Sequence, residues 1–288
     1  MSKPFSYAFF GTATFAVSFL EALKAAHAPL PSLIITNPDR PKGRGLELAE
    51  PPVKSWAKSE NIEFLQPEKL DAPFIEMMKE RGFDLFAVVA YGSLMPKALF
   101  ELPRFKTVNV HPSLLPLHRG ASPIESQILA DDMHVGVTLI EIDEKMDHGP
   151  ILAQESLALA EWPTEKKSLA TTFAALGAKL FVEVIEKMQK GSLAPVPQNE
   201  AGATYTKKIR KEDGLISLDG DPRKNYLKYL AFQEWPRLHF LSVKNGVTTR
   251  IVITEASFKD GTFTIKKVIP EGKKEISYEE YLRANGSN

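Results

Sequence analysis

The 288-residue sequence contains no cysteine. Disulfides, a thiolate nucleophile and cysteine-ligated zinc are excluded, so any chemistry must use nitrogen and oxygen groups. Its formal net charge is zero at pH 7, so no overall charge marks a polyanionic partner. No run approaches the roughly 18 apolar residues of a membrane span. The N-terminal stretch MSKPFSYAFFGTATF has one lysine and then a short apolar run without a small-residue cleavage pattern, which reads as a first strand rather than a signal peptide. A cytoplasmic protein with no membrane segment is expected. Gly11 stands alone in FFGTATFA, where nicotinamide sites carry G-x-G-x-x-G, and this disfavours a dinucleotide role. The histidines include no pair at metal-ligand spacing on a helix, so no metal is expected.

With 43% hydrophobic and 25% charged residues the chain has the composition of a folded globular protein, in one large domain or two smaller ones. Charge is unevenly placed: residues 1–199 hold 20 Lys/Arg against 24 Asp/Glu, and residues 200–288 hold 16 against 12. The plain reading of that split is scatter over a solvated surface. Five short apolar runs, YAFFG, SLIITN, FDLFAVVAYG, TVNV and VGVTLIEID, are separated in the first part by amphipathic stretches such as FAVSFLEALKAA and APFIEMMKER. This alternation predicts a Rossmann-like α/β domain over residues 1–190, built on a mostly parallel sheet, with ligands outside the carboxyl ends of its strands. A long helix is expected from Thr164 to Lys190, stopped by Gly191. Residues 191–206 read as a linker. In residues 207–288 the runs LHFLSV, TRIVITEASF and TFTIKKVI, separated by KNG and KDG turns, predict a small antiparallel β domain.

The stretch NVHPSLLPLHRGASP sets Asn109 and His111 two apart at a strand end, on the same side of the strand. A neutral amide donor beside an imidazole can stabilise an oxyanion and manage a proton during attack on a carbonyl. Polar groups at a strand end can equally do no more than satisfy loop backbone. Further on, IDEKMDHGP offers Asp143, Glu144 and Asp147, and spacing does not choose among them. The segment NPDRPKGRG concentrates Arg40, Lys42 and Arg44 in a short cationic loop suited to a phosphate backbone, or to plain exposure.

NVHPSLLPLHRGASPI and GVTLIEIDEKMDHGPIL resemble the 10-formyltetrahydrofolate-dependent formyltransferases, with their N-x-H-x-S-L-L-P segment and distal aspartate. TNPDRPKGRG with PPVKSWA, VVAYGSLMPKALFELP and YLAFQEWPRLHF are similar to segments of the methionyl-tRNA formyltransferase branch: its acceptor-end loop, its folate-pocket segment and the start of its C-terminal domain. The resemblance runs over nearly the whole chain. It implies a monomeric enzyme that transfers the formyl group of 10-formyltetrahydrofolate to the α-amino group of initiator methionyl-tRNA, with no metal. Catalytic roles are implied for Asn109, His111 and Asp147, the aspartate orienting His111 and favouring its charged form.

The resemblance also implies a pterin site from Val88, Ala90, Tyr91, Gly92, Ser113, Leu114, Leu115, Pro116, Ile142 and Asp143. Arg40, Lys42, Arg44, Lys207 and Lys208 would contact tRNA, with Arg44 wedged at the end of the acceptor stem. The C-terminal domain would be a shortened OB-like barrel. Ala13, Thr14, Pro112 and His118 depart from the family pattern without removing a catalytic group. Two other readings stay open. The same chemistry on a small amine, such as a nucleotide-linked amino sugar, leaves NPDRPKGRG and the basic C-terminal part unexplained. A noncatalytic RNA-binding protein would not require Asn109, His111 and Asp147 together.

Overall fold

Residues 4–42 and 47–285 are described by the structure, a computed structural model. The chain opens with strand β1 (Tyr7–Gly11), helix α1 (Thr14–Ala25), β2 (Leu33–Ile35), the short pair β3 (Arg40–Lys42) and β4 (Glu47–Ala49), α2 (Pro52–Ser59) and β5 (Phe64–Leu65). It continues through α3 (Ala72–Arg81), β6 (Leu85–Val89), α4 (Lys97–Phe100), β7 (Thr107–His111), β8 (Arg119–Gly120), α5 (Pro123–Leu129), β9 (Val135–Glu141) and β10 (Ile151–Leu157). Helix α6 (Lys166–Gln189) and β11 (Tyr205–Thr206) precede α7 (Pro222–Ala231), β12 (His239–Lys244), β13 (Val247–Lys259), β14 (Thr262–Pro270), β15 (Ile276–Ser277) and α8 (Tyr278–Asn285).

Two compact units result. The first comprises the chain through Arg119 with His134–Leu157 and Ala170–Tyr205; the second comprises Gly120–Met133, Ala158–Leu169 and the chain from Thr206. Residues 120–133 and 158–169 thus group with the C-terminal part of the chain. Residues 191–205 belong to the first unit, where Val196 bridges to Ile151. Only partners distant in sequence reveal this, because the segment has no periodicity of its own.

The first unit is built on a seven-stranded sheet in the order β10-β9-β7-β6-β1-β2-β5. Strands β5, β2, β1, β6 and β7 run parallel, whereas β9 is antiparallel to both β7 and β10. β1 and β6 are buried along their whole length, as unbroken apolar runs in a doubly covered parallel sheet require. Alternation divides their side chains. Phe10, Phe86 and Val88 join Phe74 and Met78 of α3 and Leu99 of α4 on one face. Phe9 instead packs on Phe19 of α1, which also meets Phe181 of α6.

Helix α6 approaches this second face closely. A β-carbon on Gly177 would lie 2.8 Å from Val110 of β7, so only hydrogen fits there. After α6, Gly191 takes a φ of 66°, and its N–H and that of Ser192 bond back to Met188 and Lys187 in a Schellman cap. α6 is also the one helix among the described residues long and apolar enough to cross a membrane, but Phe173, Phe181 and Val184 on it are fully buried.

In the second unit, β12, β13, β14 and β15 follow one another as an antiparallel meander. No pair closes β15 onto β12 among the described residues. Both expected turns are two-residue hairpins with positive φ, Asn245-Gly246 and Asp260-Gly261. Leu238, Phe240, Ile251, Ile253 and Val268 form its core with Tyr281 of α8.

Candidate active site

Strand β7 sits in register with β6 so that Asn109 lies beside Val88, and β9 sets Ile140 opposite Asn109 and Thr138 opposite His111. Val110 points at α6, so Asn109 and His111 project from the other face, at the carboxyl end of the strand. Strand order reverses next door, between β6 and β1, where open α/β sheets hold their ligands.

The chain after β9 then turns back over these two side chains. Asn109 Nδ2 donates to Asp147 Oδ1 at 3.3 Å, and Asp147 Oδ2 lies 3.6 Å from His111 Nδ1. The three acids that spacing left equal are thereby separated. Asp143 accepts from the Lys145 N–H and pairs with His148 Nδ1 at 2.5 Å, and Glu144 pairs with Lys97. Asp147 alone among them meets Asn109 and His111. It adopts a φ of 50°, a left-handed conformation that costs a non-glycine residue about 1 kcal/mol or more and persists only where its surroundings hold it. Two constraints do so. Gly149 packs so closely on the Glu141 carbonyl oxygen that no β-carbon could fit, and Gln198 Nε2 donates to the carbonyls of Asp147 at 2.9 Å and Gly149 at 2.8 Å.

His111 is buried, and its Nε2 lies 3.0 Å from the carbonyl oxygen of His118. A carbonyl only accepts, so the proton sits on Nε2 and the Nδ1 lone pair of the neutral ring faces Asp147. Burial pushes the imidazole below its ordinary pKa, and this outweighs the upward pull of the Asp147 carboxylate and the His118 carbonyl. The Asp147 carboxylate pulls His111 toward its charged form, and desolvation pulls more strongly toward the neutral one. The arrangement offers an amide donor, a proton acceptor and a carboxylate able to stabilise an imidazolium that forms only during reaction.

The residues expected to hold a pterin fall into two groups. Val88, Tyr91 and Ile142 share the apolar cluster of β1, β6 and α4. Beside them Ala90 and Gly92 have φ of 45° and 80°, the Ala90 carbonyl accepts from Thr12 and Ala13, and Asn37 Nδ2 donates to the Tyr91 carbonyl. Tyr91 and Arg40 line a cavity of about 460 Å³ with Asn37, Ser93, Met95 and Lys69. The other group is spent on internal bonds. Ser113 Oγ donates to the Leu117 carbonyl, the Leu115 N–H donates to Thr138 Oγ1, and the Leu115 carbonyl accepts from Gln154. Leu114 packs on Gly136, and the Pro116 carbonyl accepts from the Thr204 N–H. Ser113–Pro116 form a rigid floor to the loop, while Asp143 is held by His148.

The cationic segment is not the plain loop the sequence suggested. Arg40–Lys42 and Glu47–Ala49 pair as an antiparallel hairpin stem. Its base is anchored by Asp39, which hydrogen bonds from Gln66 and Lys54 hold below the usual carboxylate range. Weak strand formers such as Arg-Pro-Lys conceal this pairing. Arg40 is exposed; Arg44 and the side chain of Lys42 lie outside the described residues. Lys207 and Lys208 are exposed on the second unit.

Arg119, Gln198 and Thr204 are not singled out by the sequence. Arg119 is among the largest fully buried side chains of the described residues, and Gln198 and Thr204 lie in the segment read as a linker. The HRG triplet beside the Asn-x-His pair, closing a rigid loop, was the only hint available.

With this geometry in place, a family model described as formyl transferase matches residues 6–185. Methionyl-tRNA formyltransferase of Thermodesulfovibrio yellowstonii is 33% identical over 300 aligned residues, covering 97% of this chain and 96% of that protein. Among solved structures, methionyl-tRNA formyltransferase from Clostridium thermocellum superposes with a TM-score of 0.61 at 18% identity, covering 95% and 99% of the two chains. HypX from Aquifex aeolicus, in complex with tetrahydrofolic acid, superposes with a TM-score of 0.64 at 15% identity over 97% of this chain and 47% of that one. At those identities the two structures establish a shared fold.

Proposed function

The chain belongs to the formyl transferase family, and from that premise we propose that it formylates the α-amino group of initiator methionyl-tRNA in the cytoplasm, with 10-formyltetrahydrofolate as donor. The observation that carries this reading is the meeting of Asn109, His111 and Asp147 at the end of β7. Similarity to methionyl-tRNA formyltransferases over nearly the full length supports the acceptor. Tyr91 lines a cavity of about 460 Å³, within the roughly 300–1,000 Å³ of small-molecule sites, and the apolar cluster it shares with Val88 and Ile142 suits a flat ring.

The folate cosubstrate supplies the formyl carbon, and the protein supplies position and proton control. Asn109 has two N–H donors. Asp147 takes one and so aims the amide, leaving the other for the formyl oxygen as negative charge grows on it. A free α-amino group titrates near pH ~8, and the adjacent ester lowers this further, so the acceptor arrives largely neutral. As its nitrogen bonds to the formyl carbon it becomes acidic, and neutral His111 takes that proton at Nδ1, directly or through a water. Asp147 stabilises the imidazolium, and His111 then returns the proton to the departing folate nitrogen. Arg40, with Lys42, Arg44, Lys207 and Lys208, would engage phosphates of the acceptor RNA.

The test is transfer of labelled formyl to initiator methionyl-tRNA, run beside elongator methionyl-tRNA, free methionine and an amino-sugar nucleotide. Product on the initiator alone is expected. Product only on a small amine would remove the tRNA assignment, and no product on any acceptor would remove the transfer assignment.

A further inference from the structure

Asp147 owes its position to residues that are not part of the reacting set. The guanidinium of Arg119 is fully buried, and all five of its N–H donors are used. Nε and Nη2 donate to Gln198 Oε1 at 3.1 and 2.7 Å, Nη2 and Nη1 donate to the two Glu200 carboxylate oxygens at 2.6 and 3.1 Å, and Nη1 donates to Tyr205 Oη at 3.1 Å. Two donors converging on Gln198 Oε1 fix that amide, because a flipped amide would turn its NH2 onto a cation. The Gln198 NH2 must therefore face the other way, where it meets the carbonyls of Asp147 and Gly149. The same segment acts on His111. Thr204 Oγ1 accepts from the His118 N–H at 2.8 Å, the Thr204 carbonyl accepts from the Arg119 N–H at 2.9 Å, and the His118 carbonyl accepts from His111 Nε2.

We propose that Gln198, held by buried Arg119, is a positioning residue for formyl transfer, setting the Asp147 carboxylate against Asn109 and His111 from a segment that otherwise looks like a connector. This rests on the function proposed above. A strained left-handed residue needs fixed partners on its own backbone, and Gln198 supplies one at Asp147 itself and one at Gly149. Displacing a reacting group by about 1 Å can lower turnover on the order of 100-fold without touching substrate.

Gln198→Glu is the discriminating variant. It keeps the shape and the acceptor that Arg119 needs, but removes both donors and turns an oxygen toward two carbonyls. The expected result is a fall in kcat of roughly 10- to 100-fold, with KM for 10-formyltetrahydrofolate and the urea midpoint close to wild type. Introduced into Asp147→Ala, the same change should add less than about a twofold loss, because its effect runs through Asp147. Thr204→Val, which removes the hydroxyl holding His118, is a second variant expected to lower kcat while leaving KM in place.

Wild-type kcat in Gln198→Glu, or a loss that multiplies in full with that of Asp147→Ala, would overturn the proposal while leaving the formyl-transfer reading intact. Absence of transfer by the wild-type protein would instead overturn that reading. Hydrogen exchange over residues 143–149 then tests the Gln198 contact alone: faster exchange in Gln198→Glu upholds it, and unchanged exchange removes it.

Discussion

Replacing Asp147 by asparagine isolates its charge, because the side chain keeps its shape and its capacity to accept from Asn109. The charge acts on His111 across 3.6 Å, between side chains only 15% and 5% exposed. At an effective dielectric of about 20, two unit charges at that separation attract by about 4–5 kcal/mol, against about 1 kcal/mol in water. Burial disfavours the charged ring at rest, so this attraction counts chiefly once the imidazolium forms, in the barrier. Partial exposure of Asp147 favours the lower part of the range. Each 1.4 kcal/mol is about tenfold in rate, so a loss of roughly 100- to 1,000-fold in kcat is expected, with little change in folate affinity. Rapid-quench single-turnover transfer to methionyl-tRNA measures the chemical step, and equilibrium binding of the folate measures the rest. A loss below about tenfold would refute the argument that Asp147 stabilises a charge developing on His111.

Three other outcomes follow from the same structure. Arg40→Ala should weaken use of the charged tRNA and reduce the slope of log affinity against log salt by about 1, while folate binding is unchanged; an unaltered slope would show that Arg40 meets no phosphate. Because folding lowers the pKa of His111, its contribution to stability is present above about pH 6.5 and is lost as pH falls below that value. Urea unfolding should therefore show the wild type losing stability below pH 6.5 more steeply than His111→Asn, by at most about 1.4 kcal/mol per pH unit, and equal slopes would contradict a neutral buried ring. Gly177→Ala should destabilise by about 1–3 kcal/mol despite the better helix propensity of alanine, since its methyl would press on branched Val110; an unchanged urea midpoint would show slack between α6 and β7.

The sequence alone determined those features that depend on residue type and short-range period. Unbroken apolar runs dictated a doubly covered sheet at β1 and β6, and alternation placed Asn109 and His111 on the same side of β7. Asn245-Gly246 and Asp260-Gly261 specified two hairpins because few other pairs tolerate two successive positive φ values. Gly191 marked the end of α6 for the same reason.

Tertiary structure decided everything that required groups far apart in the chain to meet. It selected Asp147 over Asp143 and Glu144, since only the fold of the loop beyond β9 says which carboxylate reaches β7. It pushed the His111 imidazole below its ordinary pKa, because burial is a property of surrounding atoms and not of the residue. It paired β3 with β4 in a segment of weak strand formers, and it brought Gln198, from a segment without periodicity, against the Asp147 carbonyl. Arg119 and Gln198 are separated by 79 positions, and no local pattern relates a buried guanidinium to the amide that satisfies it.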